Sequence, residues 1–196
     1  MKLVGLTGGI ASGKSTVAGF FKNLHIPIIN TDDLAHELTM HDADTIEAIV
    51  KALGRGVLVK DKIDKQQLKK IVFADIEKKT ILEKILHPRI KNRLDEIVGE
   101  LKEPYAIVEV PLLIEAGWDK YVDRVLLATA PETVRINRLI KRDAINNSMA
   151  RKILTSQTDD ATRMKYADDI IDTNQDLDKI KKKVLNLHNK YLQVLQ

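Results

Sequence analysis

The chain has 196 residues, 44% of them hydrophobic, with 32 Lys+Arg against 28 Asp+Glu and a formal net charge of +4. That length suits one α/β core carrying an insertion. The lack of cysteine excludes a disulfide framework and thiolate chemistry, and the basic residues lie among acidic ones, so no electrostatic footprint for DNA or RNA stands out. The apolar runs are strand-length and broken by charge, and the opening residues lead straight into a glycine-rich loop. Neither a membrane span nor a signal peptide is expected, and a cytoplasmic setting is the default.

The first predicted strand is Lys2 to Leu6. Directly after it, Gly8-Gly9-Ile10-Ala11-Ser12-Gly13-Lys14-Ser15 fits the spacing Gly-x4-Gly-Lys-Ser, and residues Ser15 to Leu24 have helical composition. A glycine-rich turn between a strand and a helix lets backbone N–H groups curl around a phosphate while the helix presents its positive end to the same anion. Lys14 is then expected to reach the β- and γ-phosphates of a nucleoside triphosphate, and Ser15 a magnesium ion.

A second strand is predicted over Ile26 to Asn30, followed by Asp32 and Asp33. A carboxylate at the carboxyl end of a strand beside a phosphate loop can orient and deprotonate an acceptor hydroxyl. The same acids can cap a helix beginning at Leu34, so one is expected to cap and the other to work. From Leu34 to Pro104 the chain reads as helix after helix with hardly a strand signal. Its 14 Lys+Arg against 13 Asp+Glu make no basic funnel. An insertion of this size is expected to bind the second substrate, since a simple crossover needs far fewer residues.

Strands are predicted again at Tyr105 to Val110, Arg124 to Ala128 and Asp169 to Asp172. Glu109, ending the first of these, has two readings: a second-sphere magnesium ligand, or an acid facing a solvent crevice. After Pro131, the residues Arg135, Arg138 and Arg142 fall at i, i+3 and i+7 and share one helix face. They are either an exposed basic face or three cations aligned over phosphates. The place of the charged helix pair from Arg135 to Gln157, between the fourth and fifth strands, favours a lid. Leu177, Ile180, Val184, Leu187, Tyr191 and Leu195 mark a closing amphipathic helix.

The alternation predicts an α/β fold of the P-loop NTPase type: a doubly wound five-stranded parallel sheet with a helical substrate-binding insertion and a helical lid. The expected division is 1–33, 104–130 and 160–196 for the nucleotide-binding core, 34–103 for the helical substrate domain and 131–159 for the lid. On residues alone, a kinase acting on a nucleoside monophosphate and a slow nucleotide switch stay open. No Asn-Lys-x-Asp guanine signature accompanies the loop, and composition does not specify an oligomeric state.

The residues taken in order resemble those of the dephospho-CoA kinase family over nearly the whole chain. Leu6 to Thr16 is similar to the family's Thr-Gly-Gly-Ile-Gly-Ser-Gly-Lys-Ser loop, and Asn30-Thr31-Asp32 stands at its Asp-Ala-Asp. Leu86-His87-Pro88 resembles Leu-His-Pro, and Val110-Pro111-Leu112-Leu113-Ile114-Glu115 resembles Val-Pro-Leu-Leu-x-Glu. Arg138, Arg142-Asp143, Gln157 and Ala167 to Asn174 complete the series.

The resemblance implies transfer of the γ-phosphate of ATP, with Mg2+, to the 3′-hydroxyl of 3′-dephospho-CoA. It implies catalytic roles for Lys14, Asp32, Arg138 and Arg142. It also implies nucleotide binding by Gly9, Ala11, Ser12, Gly13, Lys14, Ser15, Thr16 and Asn174, metal binding by Ser15, and acceptor binding by Asp32, His87, Leu113 and Glu115. Two departures carry expectations of their own. Ala11 replaces a glycine, which fits a negative φ with its Cβ turned from the phosphates. Asn30 replaces the first acid of Asp-Ala-Asp, which leaves Asp32 as the base.

Overall fold

A computed structural model describes residues 1–195. In chain order, β1 (Lys2–Thr7), α1 (Lys14–Asn23) and β2 (Ile28–Asn30) lead into a helical stretch of α2 (Thr31–His41) and α3 (Ala43–Leu53). A hairpin of β3 (Leu58–Val59) and β4 (Lys62–Ile63) then precedes α4 (Lys65–Ala74) and α5 (Ile76–Glu100). The chain continues through β5 (Tyr105–Glu109), β6 (Arg124–Thr129), α6 (Glu132–Asp143), α7 (Asn147–Thr155), α8 (Asp160–Met164), β7 (Asp169–Asp172) and α9 (Leu177–Val194). No helix among the described residues is long and apolar enough to cross a membrane.

Two compact units result, one made of Met1–Ile29 with the chain from Lys102 onward, the other of Asn30–Leu101. The five-stranded sheet has the order β2-β5-β1-β6-β7, with β1 at its centre. In register, Leu6 is opposite Glu109 of β5 and Leu126 of β6, both pairs parallel. Strands of β1, β5 and β6 are buried on both faces, as their unbroken apolar runs require in a sheet covered by helices. Helices α1 and α9 supply one cover: Val17, Phe21, Ile180, Val184 and Tyr191 pack with Val4, Leu6, Ile107 and Leu126. At the amino end of β6, the Arg124 Nε donates to Asp169 at 2.5 Å and Asp168 accepts from the Val125 N–H at 2.8 Å. The acids of the Ala167-Asp168-Asp169 run therefore fasten strands together. Although burial opposes ionisation, Arg124 and Lys190 hold the Asp169 carboxyl below its ordinary range.

The second unit is built of helices whose amino ends are fixed by short polar side chains. Asn30 accepts from the Asp32 N–H at 2.8 Å, Asp42 from Thr45, Asp64 from Gln67 and Asp75 from Glu77. Such caps satisfy donors that a helix leaves unpaired in its first turn. Ile49, Leu53, Val57, Ile63 and Leu68 form its core. Two expectations are corrected here. The helix after β2 starts at Thr31, so Asn30 is its cap and neither Asp32 nor Asp33 fills that role. The insertion also contains a two-stranded hairpin, turned by Lys60 and Asp61 at φ 51° and 59°. Two successive positive φ values match the twist of a tight hairpin.

Candidate active site

The glycine-rich loop follows β1 and turns into α1 at Gly13, whose φ of 89° lies in the left-handed region. A Cβ there would meet the Thr173 hydroxyl oxygen at 2.7 Å, so the position needs glycine on two counts. Gly9 is constrained by a neighbour instead: a Cβ would come within 2.1 Å of the Arg135 guanidinium. Lys14 lies over the loop, its ammonium donating to the Gly8 carbonyl at 2.6 Å. Ser15 and Thr16 are exposed in the first turn of α1.

Ala11 does not have the expected negative φ; it sits at 58°. The reason is the path of the loop, which reverses there whatever the residue, and an L-residue bears roughly 1–2 kcal/mol in that conformation. In compensation, the methyl group joins Ile10 in packing against Ile136, Leu139, Ala150 and Leu154 of α6 and α7.

These two helices grip the loop. Ile10 is held on both sides of its residue: its N–H donates to Gln157 Oε1 at 2.8 Å, and its carbonyl accepts from Arg135 Nε at 3.0 Å. Arg138 donates to the Ala11 carbonyl at 3.2 Å, to the Thr173 hydroxyl at 2.9 Å and to the Thr173 carbonyl at 2.8 Å. Buried Thr173 in turn donates to the Ser12 carbonyl at 2.7 Å. Ser12 itself is buried, and its hydroxyl has no hydrogen-bond partner. Asn174 is exposed next to Thr173, its N–H bonded to Asp172 at 2.8 Å.

The three arginines expected to align over phosphates therefore do different things. Arg135 is buried and fastens the loop from behind, and Arg138 braces the loop to Thr173. Arg142 alone is substantially exposed, with a two-bond pair to Asp143 at 2.7 and 2.9 Å. All three stand on one face of α6, and the reach of each guanidinium gives it a different partner.

In the segment after β5, Leu113 is fully buried, and its methyl would lie 2.5 Å from a Cβ on Gly5. Expected beside the acceptor, it packs in the strand layer here. Glu115 is partly exposed and bonds to Arg163 at 3.1 Å. Burial pushes its carboxyl upward, but its own N–H, Thr158 and Arg163 outweigh this and hold it below the ordinary range. Arg163 also pairs with Asp160 at 3.2 Å, a partnership of Glu115, Arg163 and Asp160 that spacing does not reveal.

Within the helical unit, Asp32 is exposed in the first turn of α2 and borders a cavity of about 310 Å³. Lys65 and Lys69, one turn apart on α4, line it with His36, while Leu68, Val72 and Leu82 give it apolar walls. His87 is partly buried on α5, and its neighbour Leu86 lines the cavity.

Comparison with known proteins gives a consistent outcome. A family model described as dephospho-CoA kinase matches residues 2–179. A dephospho-CoA kinase of Coxiella burnetii is 39% identical over 198 residues, covering 100% of both chains. One from Legionella pneumophila (strain Lens) is 37% identical, covering 96% of this chain and 94% of the relative. Among solved structures, dephospho-CoA kinase from Campylobacter jejuni aligns with a TM-score of 0.72 and 30% identity over 97% of each chain. TT1252 from Thermus thermophilus aligns with a TM-score of 0.85 and 26% identity, over 96% of this chain and 97% of that one. Shikimate kinase from Acinetobacter baumannii, at a TM-score of 0.55 and 17% identity over 97% of this chain and 94% of that one, shares the fold.

Proposed function

The chain belongs to the dephospho-CoA kinase family, and from that premise we propose how its residues divide the work of the reaction. The enzyme is an ATP-dependent transferase that phosphorylates the 3′-hydroxyl of 3′-dephospho-CoA, giving CoA and ADP, the last step of coenzyme A biosynthesis. A phosphoryl group passes between oxygens through a loose transition state, so the protein's contribution is positioning and charge stabilisation.

The loop from Gly9 to Gly13 receives the β-phosphate on its backbone N–H groups other than that of Ile10, which Gln157 takes, and Ala11, Ser12 and Thr16 belong to the same nucleotide site. Lys14 bridges to the γ-phosphate. The loop supports this role because Arg135, Gln157 and Arg138 already hold it in shape, and that bracing is the observation that carries the reading. Arg142 supplies a cation to the developing charge from a lid formed by 131–159, exchanging its exposed bond to Asp143 for the phosphates. Asn174 borders the adenine.

Magnesium fits the donors available. The Ser15 hydroxyl lies in the first turn of α1, and the Glu109 carboxylate ends β5 opposite Leu6 of the loop-bearing strand. One hydroxyl in the first shell, with Glu109 in the second, suits an ion that keeps water and phosphate oxygens for the rest of its shell. The ion, when bound, neutralises charge on the triphosphate.

The helical unit takes the acceptor. Asp32 accepts the 3′-hydroxyl proton and His87 contacts the same molecule, while Glu115, on the segment after β5 in the other unit, is assigned to the acceptor by the family resemblance alone. In the cavity beside Asp32, Lys65 and Lys69 suit the acceptor's 5′-diphosphate and the apolar walls suit its adenine or pantetheine. The partners on this reading are two small molecules, with neither nucleic acid nor membrane involved, and the setting is cytoplasmic. Replacing both lysines by alanine is expected to raise the KM for 3′-dephospho-CoA at least about tenfold, equivalent to about 1.4 kcal/mol, with the ATP KM unchanged. Steady-state kinetics with each substrate varied in turn check this. An equal rise in both KM values, or none, would remove the acceptor from that cavity.

A further inference from the structure

The loop after β5 is joined to the phosphate loop by a run of alternating charges. Arg135 donates to the Ile10 carbonyl at 3.0 Å and to Asp160 Oδ2 at 3.0 Å. The same carboxylate oxygen accepts from the Thr129 hydroxyl at 3.0 Å, at the end of β6. Its other oxygen accepts from Arg163 Nη1 at 3.2 Å, and Arg163 Nη2 donates to Glu115 at 3.1 Å. Asp160 and Arg163 stand at i and i+3 on the short helix α8, so they share a face.

Arg163 is completely buried, and its Nε has no hydrogen-bond partner. Stability alone is a poor reason for such a residue. Burying a guanidinium carries a desolvation penalty that pairing only partly offsets, and a well-packed apolar side chain is often as good or better. What an apolar residue cannot do is hold two carboxylates at fixed places. The two carboxylates here are partly exposed and lie on different segments, Asp160 bound through Arg135 to the phosphate loop and Glu115 on the segment after β5.

We propose that Arg163 is a positioning residue for the acceptor: it fixes the Glu115 carboxylate against Asp160 and so ties acceptor placement to the phosphate loop. This rests on the reading that Glu115 contacts the acceptor. Breaking the link at Arg163 leaves the Glu115 carboxylate held only by Thr158 and its own N–H, so that it shifts, while Asp160 keeps its bonds to Thr129 and Arg135. The loss therefore falls on the acceptor and not on ATP.

The test is a double-mutant cycle of Arg163→Gln and Glu115→Gln, with kcat and KM measured for each substrate. Arg163→Lys serves as a second variant that keeps the buried charge but cannot span two carboxylates. The expected result for Arg163→Gln is a fall of about 10- to 100-fold in kcat/KM for 3′-dephospho-CoA, with the ATP KM within about threefold. The double variant should be no worse than Glu115→Gln alone, because the two residues act as one unit. Arg163→Lys should show a smaller loss with the same selectivity, and it replaces Arg163→Gln in the cycle if that variant fails to fold. Multiplying losses with an impaired Glu115→Gln, or an equal loss on ATP and acceptor, would overturn the proposal alone. A Glu115→Gln enzyme with normal acceptor kinetics would overturn the reading of Glu115 and the proposal with it.

Discussion

Asp32→Asn is expected to lower kcat by about two to four orders of magnitude while the ATP KM stays within about twofold, the pattern of a lost general base. The local structure makes this substitution a clean one. Capping of α2 belongs to Asn30, which accepts from the backbone N–H of residue 32, so a change in the Asp32 side chain leaves that bond in place. Its carboxylate is exposed at the rim of the cavity in the helical unit, and asparagine has the same shape without the ability to take a proton. Single-turnover phosphorylation with enzyme in excess separates the chemical step from product release. An unchanged kcat would remove Asp32 from the mechanism and turn attention to Asp33 in the same helical turn.

Lys14→Ala is expected to lower kcat/KM for ATP by two to three orders of magnitude or about that, the scale for removing one preorganised donor from a developing anion. The ammonium does two things in this loop. It carries the positive charge proposed to meet the γ-phosphate, and its bond to the Gly8 carbonyl at 2.6 Å fixes the side chain over the turn. Because the loop is also held by Gln157, Arg135 and Thr173, folding should survive the change. A melting temperature within a few degrees of wild type, measured beside the kinetics, distinguishes lost chemistry from lost structure. A fall of less than tenfold with a normal melting temperature would contradict the role assigned to Lys14.

What could be read from the sequence was whatever is written in consecutive residues. The apolar runs read at Lys2 to Leu6, Tyr105 to Val110 and Arg124 to Ala128 fall on the buried strands β1, β5 and β6, and the short run Asp169 to Asp172 falls on β7, where only Ile171 is buried. Spacing within eight residues identified the phosphate loop. The hairpin at 58–63 left no such trace, because two-residue strands have no period and its turn uses Lys60-Asp61 where Asn-Gly would have signalled.

At the site, residue type indicated chemistry but not reach. Arg135, Arg138 and Arg142 look alike on a helical wheel, and only the packing of α6 on the loop assigns Arg135 to Ile10 and leaves Arg142 exposed. Leu113 lay inside a motif shared with the family, yet its neighbour Gly5 shows that the motif includes core packing as well as site residues. Arg163 meets Glu115 across 48 positions of chain, a partnership no local pattern contains. The positive φ of Ala11 was hidden for a related reason: the loop's path is dictated by β1, α1 and the helices behind it, and the alanine follows.

The most direct test of the whole account is ADP release with ATP and Mg2+, with and without 3′-dephospho-CoA, together with mass analysis of the acceptor. The account predicts turnover that depends on the acceptor and one added phosphate on it, located at the ribose 3′-oxygen. ADP release indifferent to 3′-dephospho-CoA, or an acceptor of unchanged mass, would contradict it.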